Sequence, residues 1–196
     1  MSNVVLTGFS VELLSLASRL GINVTAVVDP SIPKQLYNDL SFFTSDKSAL
    51  EHLKLSGVLN GIDHIPTKIH VDLLYVENNI HPVNLLAGTI CKSSQYGAGL
   101  VMQTNSVLSS NCKLGRLVKL NTSSTVTHDV EIGDYSIIAP GAVICGRVKI
   151  GVRTYIGANS TILPDINIGD DVKIGAGSVV TSDVASGAIV KGNPAC

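Results

Sequence analysis

Residues 126–155 read VTHDVE, IGDYSI, IAPGAV, ICGRVK and IGVRTY when they are written six at a time. Each hexamer opens with an aliphatic residue, and the same apolar period runs without an insertion from Ile90 to Val180, which makes sixteen hexamers. A period of six fits neither an α-helix nor an ordinary strand, and it is the sequence signature of a parallel β-helix. The pattern predicts three short strands per coil and about five stacked coils, with the periodic apolar residues buried between them.

Two further positions of the hexamer favour small residues. Glycine often follows the apolar residue, as at Gly133 and Gly151, and serine, alanine or threonine often takes the fifth position, as at Ser136 and Thr154. Glycine accepts backbone conformations that other residues avoid. We therefore expect the glycines that follow the apolar residue to bend the chain at the corners of each coil.

Composition excludes several classes of function. Lys and Arg number 14 and Asp and Glu number 15, and no basic block with interleaved aromatic residues occurs, so we expect no nucleic acid partner. No apolar run approaches the roughly 18 residues that cross a bilayer, and residues 1–9 do not resemble a signal peptide. We expect a protein without a membrane partner in the cytoplasm, where the four cysteines, which show no C-x-x-C spacing, stay reduced as packing residues.

The first 86 residues lack the repeat and predict a small Rossmann-like α/β domain. Ser10 is a suitable N-cap for a helix that follows the turn at Gly8. The predicted strands are residues 3–7, 24–28, 57–62 and 83–86, and the predicted helices are residues 11–20, 45–54 and 67–78. We therefore expect two domains, an α/β domain at 1–86 and an all-β parallel β-helix at 87–196.

The Gly8 turn and Asp29 end neighbouring strands of this predicted sheet. The carboxyl edge of such a sheet is where α/β domains bind ligands. The turn has one glycine where the dinucleotide fingerprint has three, so these residues alone leave a domain without a ligand equally open. We expect no metal site, because the histidines of this part show no ligand spacing. They are His52, His64, His70 and His81.

The repeat contains one histidine, His128, which Asp129 follows. A histidine on a coil face can simply be solvated. Histidine is also the side chain that most readily exchanges a proton near neutral pH, and it serves as general base in many enzymes. The residues alone leave both interpretations open.

Four features of the sequence resemble the left-handed β-helix acyltransferases. They are the uninterrupted repeat, the stretch Asn121 to Gly133, the segment GAVICGRVKIG at 141–151 and the ending GNPA at 192–195. With an α/β domain in front, the chain is similar to the NeuD/PglD-like family of sugar O- and N-acyltransferases, strongly over residues 90–195 and weakly over the first 86. The resemblance implies a left-handed β-helix that transfers an acetyl group from acetyl-CoA to a nucleotide-linked amino sugar or to sialic acid.

The resemblance also implies roles for single residues. His128 matches the general base, and Asp129 matches the acidic residue that fixes its tautomer. Gly146 matches the glycine whose backbone N–H meets the thioester carbonyl. Ala158 and Ala176 match positions whose backbone contacts the CoA arm.

The acceptor is less closely defined. Asn121 matches an asparagine near the acceptor in the family. In the front domain, backbone amides at Gly8, Phe9 and Ser10 would meet a nucleotide diphosphate at the helix start, and Asp29 would contact the nucleoside. This loop is shorter than the Gly-rich loop of the family, so the nucleotide identity and a free sugar acceptor both stay open.

Family members form trimers with CoA in a groove between neighbours, so we expect a homotrimer. One base serves amine and hydroxyl nucleophiles equally, so N- and O-acetylation both stay open. A γ-type carbonic anhydrase has the same solenoid but needs three histidines on zinc, which one solenoid histidine cannot supply. A non-catalytic sugar-nucleotide-binding scaffold is the alternative of another class.

Overall fold

A computed structural model describes residues 3–31, 40–53 and 57–195, with the side chains of His52 and Leu53 left out. The predicted end of the second helix at Lys54 and the predicted packing of Cys196 therefore lie outside the described residues, as does any placement of the His52 side chain. The chain forms two compact units, Met1–Leu85 and Leu86–Cys196.

The described part of the first unit is a four-stranded parallel sheet with three helices. Its elements are β1 (Asn3–Thr7), α1 (Val11–Arg19), β2 (Asn23–Val28), β3 (Ser41–Phe43), α2 (Asp46–Leu53), β4 (Gly57–Asn60) and α3 (Ile65–Glu77). The strand order is β3-β2-β1-β4, which matches the first four strands of the Rossmann order 3-2-1-4-5-6. The sequence did not predict β3, because three residues are too few to show a periodicity.

Local chemistry explains where the helices begin. Ser10 has an extended backbone (φ −150°, ψ 117°), and its Oγ accepts a hydrogen bond of 3.2 Å from the N–H of Leu13, so it is the N-cap of α1. Helix α3 begins at Ile65, two residues before its predicted start, since Pro66 fits the first turn of a helix. Within the described residues, every helix is too short or too polar to cross a membrane.

The second unit is a parallel β-helix of two-residue strands. They are β5 (Leu85–Leu86), β6 (Thr89–Ile90), β7 (Gln95–Tyr96), β8 (Val101–Met102), β9 (Val107–Leu108), β10 (Lys113–Leu114), β11 (Lys119–Leu120), β12 (Thr125–Val126), β13 (Glu131–Ile132), β14 (Ile137–Ile138), β15 (Val143–Ile144), β16 (Lys149–Ile150), β17 (Tyr155–Ile156), β18 (Thr161–Ile162), β19 (Asn167–Ile168), β20 (Lys173–Ile174), β21 (Val179–Val180) and β22 (Ile189–Val190).

These strands form three sheets that the chain visits in turn. Face I holds β6, β9, β12, β15, β18 and β21; face II holds β7, β10, β13, β16 and β19; face III holds β5, β8, β11, β14, β17, β20 and β22. Stacked strands pair residues 18 apart, as Val126 pairs with Ile144. The predicted fold class, a small α/β unit followed by a parallel β-helix, is confirmed.

The interior of the β-helix is filled as the period predicts. The first residue of every hexamer from Met102 to Val180 is buried, and Val126, Ile138 and Ile144 are fully so. Tyr96, near the start of the β-helix, instead has 37% of its surface exposed. From Ser106 onward, the fifth position is also buried where it carries a hydroxyl. The Oγ of Ser136 donates a hydrogen bond of 2.8 Å to the carbonyl of Gly151 and accepts one of 3.0 Å from the N–H of Thr154. These bonds satisfy backbone groups at the corner, where no strand pairing reaches them.

The prediction that the second-position glycines form the corners is wrong. The left-handed backbone lies at the fourth position of the hexamer, as at Asp129 (φ 60°) and Arg147 (φ 60°), whereas Gly133 has no positive φ. A Cβ on Gly133 would lie 2.6 Å from the N of Val152 and 2.7 Å from the C of Gly151. Glycine is required there because the next coil passes too close for a side chain.

The cysteines of the β-helix differ in how far they are buried. Cys112 is buried at a fifth position, and its Sγ donates 2.8 Å to the carbonyl of Thr127, in place of a serine hydroxyl. Cys145 is half-buried. Cys91 is exposed, so the interpretation of this residue as a packing cysteine is wrong.

Candidate active site

His128 follows strand β12 at the corner between faces I and II, in the third position of its hexamer. Its side chain is 49% exposed, and its Nδ1 lies 2.7 Å from Oδ2 of Asp129. The backbone around it is fixed by the next coil, since its carbonyl accepts a hydrogen bond of 3.1 Å from the N–H of Arg147. An accessible imidazole is therefore held on a rigid corner.

Asp129 determines which ring nitrogen of His128 carries the proton. The pKa of the Asp129 carboxyl lies below its usual range, chiefly because His128 and then Asn111 donate hydrogen bonds to the carboxylate. The positive charges of His128 and Arg147 make a smaller contribution. An ionised carboxylate only accepts hydrogen bonds, so Nδ1 must be the donor. In the neutral ring Nε2 then has no proton and can act as a base.

Gly146 lies one coil after His128, at the equivalent third position. A Cβ at this position would lie 2.5 Å from Cε1 and 2.6 Å from Nε2 of His128, so the imidazole edge rests on the glycine backbone. The carbonyl of Gly146 accepts a hydrogen bond of 3.1 Å from the N–H of Asp165, while no hydrogen bond between described residues uses the Gly146 N–H. The structure thus brings together His128, Asp129 and Gly146.

The other predicted residues of the β-helix lie at a different corner. Ala158 and Ala176 occupy third positions between faces III and I, one coil apart, and Ala176 is exposed. Asn121 precedes β12 on that same side, is 9% exposed, and uses its Nδ2 in a 3.0 Å bond to the carbonyl of Ile138. Within one chain, the width of face I separates all three residues from His128.

A cavity of about 590 Å³ lies at the carboxyl ends of the strands in the first unit. Gly8, Phe9 and Asp29 line it, as do Gly61 and Asp63 at the end of β4. Ser10 is not part of the lining; its side chain caps α1. The predicted loop and the acidic strand end therefore share one crevice at the edge where α/β sheets bind ligands.

The Asp29 carboxylate already accepts hydrogen bonds from within the chain. Its Oδ2 accepts 2.9 Å from the N–H of Phe9, and its Oδ1 accepts 2.8 Å from the N–H of Ser31. Partial burial raises the pKa of Asp29, but the bonds from Phe9 and Ser31 together outweigh burial and hold the pKa below its usual range. The carboxylate orders the mouth of the cavity.

The glycines of this crevice are required by close packing. Gly8 has φ +75°, and a Cβ there would lie 2.8 Å from Cγ1 of Ile62; a Cβ on Gly61 would lie 2.6 Å from the carbonyl oxygen of Gly8. Any side chain at either position would push apart the loops that follow β1 and β4.

Sequence reasoning did not select several polar residues of the same cavity. They are Thr44, Asp46, Thr67 and His70. Buried Tyr75 donates a hydrogen bond to Asp46, and burial followed by the carboxylate charge raises the pKa of the phenol. The sequence offered no signal for Thr44 and Asp46, because they follow β3, a strand too short to be predicted.

No three His, Cys, Asp or Glu side chains in the described ranges are grouped so that they could hold a metal ion.

Comparison with known proteins identifies the repeat. Residues 111–146 and 147–182 match the family described as bacterial transferase hexapeptide (six repeats). No curated protein matches the sequence.

Several solved structures share the fold over the full length of the chain. A perosamine N-acetyltransferase mutant from Caulobacter crescentus, in complex with CoA and GDP-perosamine, is 23% identical with a TM-score of 0.92 and covers 100% of this chain and 96% of its own. The acetyltransferase domain of PglB from Neisseria gonorrhoeae, in complex with acetyl coenzyme A, is 22% identical with a TM-score of 0.91 and covers 100% and 98%.

A third structure, WeeI from Acinetobacter baumannii, is 25% identical with a TM-score of 0.85 and covers 100% of this chain and 99% of its own. The resemblance inferred from the sequence is thus confirmed in the repeat and in the fold. Residues 111–182 carry the hexapeptide repeat of bacterial transferases, and the chain has the fold of these acetyltransferase structures.

Proposed function

We propose that the protein is an acetyl-CoA-dependent acetyltransferase that N-acetylates an amino sugar carried by a nucleotide, with His128 as general base. The observation that carries the proposal is the arrangement of His128, its Nδ1 2.7 Å from Asp129 and its other edge against Gly146. The similar structures support the substrate class, since one contains CoA with GDP-perosamine and another contains acetyl coenzyme A.

The proton transfers that acetyl transfer requires fit this arrangement. The neutral sugar amine attacks the thioester carbonyl, and Nε2 of His128 takes the proton that the amine loses. Asp129 stabilises the imidazolium that forms. The Gly146 N–H would donate to the developing oxyanion, and collapse of the intermediate expels the CoA thiolate, which receives the proton from His128.

The position of the CoA-contact residues favours a homotrimer with shared sites. Ala158 and Ala176 lie across face I from His128, so one chain cannot offer both groups to one CoA molecule. Threefold closure would set the corner of one subunit that holds His128 against the alanine corner of its neighbour. Face I also has the neutral surface of an interface: its outward side chains are Thr89, Val107, Thr125, Val143, Thr161 and Val179.

Subunit mixing tests the shared site. His128→Ala and Ala176→Trp variants are each expected to lose activity, the first in the base and the second in the CoA groove. Random mixed trimers made by co-expression should then recover about one quarter of the wild-type activity, because one site in four combines an intact His128 with an intact alanine corner. Activity in the mixture no greater than that of the separate variants would contradict the shared site, and light scattering establishes the trimer itself.

The crevice of the first unit is where we place the nucleotide, with Gly8, Phe9 and Asp29 at its mouth. The described lining contains His64 and His70 but no lysine or arginine. The N–H groups of Gly8 and Phe9, which the sequence analysis assigned to the diphosphate, already donate to the Val28 carbonyl and to Asp29. Recognition of a diphosphate would therefore depend on these imidazoles and on other backbone amides of the crevice rather than on a fixed positive charge. We expect the nucleotide to contribute modest affinity.

Release of thiol from acetyl-CoA tests the proposed function. UDP-, GDP- and dTDP-linked amino sugars and free sialic acids serve as acceptors, and mass spectrometry distinguishes an acetamide from an ester. Thiol release with an amino sugar nucleotide and its loss in His128→Ala are the expected results. An ester product would instead establish the O-acetyltransferase, and the absence of turnover with calorimetric binding of a nucleotide would establish the scaffold. We place the enzyme in the cytoplasm, where acetyl-CoA and nucleotide sugars are available.

A further inference from the structure

A ladder of four polar residues runs along the corner that holds His128. Asn111, Asp129, Arg147 and Asp165 are spaced 18 residues apart, one per coil, and all occupy the fourth position with left-handed φ values of 58°, 60°, 60° and 65°. Each side chain therefore lies between its equivalents on the neighbouring coils. We call these four residues the corner ladder.

The corner ladder divides into two hydrogen-bonded pairs. Asn111 Nδ2 donates 3.2 Å to Oδ1 of Asp129, while the other oxygen of Asp129 takes the imidazole of His128. The guanidinium of Arg147 donates two hydrogen bonds to the Asp165 carboxylate, Nε to Oδ1 at 2.6 Å and Nη2 to Oδ2 at 2.7 Å. Among the described residues, no side-chain hydrogen bond joins the two pairs. Asp165 raises the pKa of Arg147 chiefly through its hydrogen bonds and charge, and the charge of nearby Asp129 adds a smaller effect.

We propose that Asn111 and Asp165 are positioning residues for His128: Asn111 orients the Asp129 carboxylate directly, and Asp165 keeps Arg147 from capturing that carboxylate. The catalytic meaning of this inference rests on the proposed function, but the geometry of the imidazole does not.

The argument for Asn111 starts from the exposure of the site. Asp129 is about half exposed, so burial alone does not fix its side-chain rotamer. Asn111 supplies an N–H donor on the side opposite His128, and its own backbone N–H is bonded to Ser93 Oγ at 3.0 Å. With one oxygen fixed by Asn111, the other is directed at Nδ1, and Nε2 stays without a proton.

The argument for Asp165 is one of competition. Arg147 is one coil from Asp129 and one coil from Asp165, and a guanidinium binds either carboxylate through two parallel N–H bonds. A pair with Asp129 would occupy the oxygen that His128 uses. The charged groups that face His128 along this corner are Asp129, Arg147 and Asp165, and the pairing of the last two leaves Asp129 to the imidazole.

Kinetics of three variants test the ladder. Asn111→Ala should lower kcat about 3- to 10-fold with KM for acetyl-CoA unchanged, the usual effect of one lost hydrogen bond. Asp165→Asn should lower kcat similarly, since it frees Arg147, and the double variant Arg147→Gln/Asp165→Asn should restore it. A purely structural role of Asp165 predicts no such restoration.

The chain offers matched controls for both changes. Arg153 and Asp171 form the same two-pronged pair, 2.7 Å at each contact, on the corner between faces II and III. Asn105 has the same left-handed backbone (φ 59°) at another corner. Asp171→Asn and Asn105→Ala should leave kcat within twofold of the wild type.

Nitrogen NMR of the intact protein tests the inference without any substrate. In protein labelled with ¹⁵N-histidine, the His128 signals, assigned by their loss in His128→Gln, should show protonated Nδ1 and bare Nε2. Asn111→Ala and Asp165→Asn should each introduce the other tautomer, and Arg147→Gln/Asp165→Asn should remove it. An unchanged tautomer in both single variants overturns the inference even if the enzyme is active, whereas absent turnover with altered tautomers would overturn only the proposed function.

Discussion

Gly146→Ala is the substitution that isolates the geometry of the candidate base. The backbone of Gly146 has no positive φ, so alanine causes no backbone strain, and its N–H remains available. The added Cβ would lie 2.5 Å from Cε1 of His128, whereas ordinary contact begins at 3.4 Å. The imidazole must therefore withdraw by about 0.9 Å.

A displacement of about 1 Å at a reacting group costs on the order of 10²-fold in rate. The imidazole is half exposed and free to move outward, so the same substitution should change the free energy of unfolding by less than about 1 kcal/mol. We therefore expect kcat to fall roughly 100-fold while the urea midpoint stays close to that of the wild type. Thiol release at saturating acetyl-CoA measures the first quantity, and tyrosine fluorescence in urea measures the second.

A double-mutant cycle with His128→Ala determines why the rate falls. If the Cβ acts by displacing the imidazole, Gly146→Ala should cost nothing further in protein that already lacks His128. If it instead fills the thioester groove, the two losses should multiply. Wild-type kcat in Gly146→Ala would refute the claim that this ring position is the catalytic one.

Four further outcomes are expected. His128→Ala should lower kcat about 10²- to 10⁴-fold with CoA affinity by calorimetry unchanged; a smaller loss would remove His128 as the base. Ser136→Ala should cost about 1–3 kcal/mol of unfolding free energy in urea, because it leaves the buried N–H of Thr154 without its acceptor; a cost below about 0.5 kcal/mol would mean that water replaces the hydroxyl. The Arg153 hydrogen bond holds the pKa of Asp171 below its usual range, so this pair stabilises the fold above the ordinary aspartate pKa near 3.9 and loses that effect as pH falls through the lower folded value. The urea midpoint of Asp171→Asn should accordingly fall less steeply than that of the wild type below about pH 4, and parallel curves would contradict the assignment. Light scattering should give the mass of a trimer, and an active monomer would contradict the shared site.

The period of six was enough to predict the faces of the β-helix, because burial of every sixth residue leaves only one way to stack the coils. It did not reveal the purpose of individual small residues. Gly133 is required by the backbone of the coil above it, and such a distance between coils is not written in one hexamer. The bend falls two residues later in each hexamer, at residues as different as Tyr135 and Arg147.

The candidate site was predictable in part. His128, Asp129 and Gly146 were selected by family resemblance, and the structure places them in contact, although their roles remain predictions. Asn111 and Asp165 were overlooked because hexamers compare neighbours six apart, whereas side chains on one corner meet at a separation of 18. In the first unit, Asp29 was selected for a nucleoside, and its bonds to Phe9 and Ser31 depend on a loop conformation that composition does not specify.

The stacking of face I also determines which coils local unfolding should reach last. In this sheet of six strands, β12 and β15 are the central pair, and they lead directly into His128 and Gly146. Stability in such a stack comes from nearest neighbours, so fraying starts at terminal coils and moves inward. The backbone amides beside the candidate base should therefore be among the slowest in the β-helix to exchange with deuterium, and the site should keep its shape through local openings that release either end.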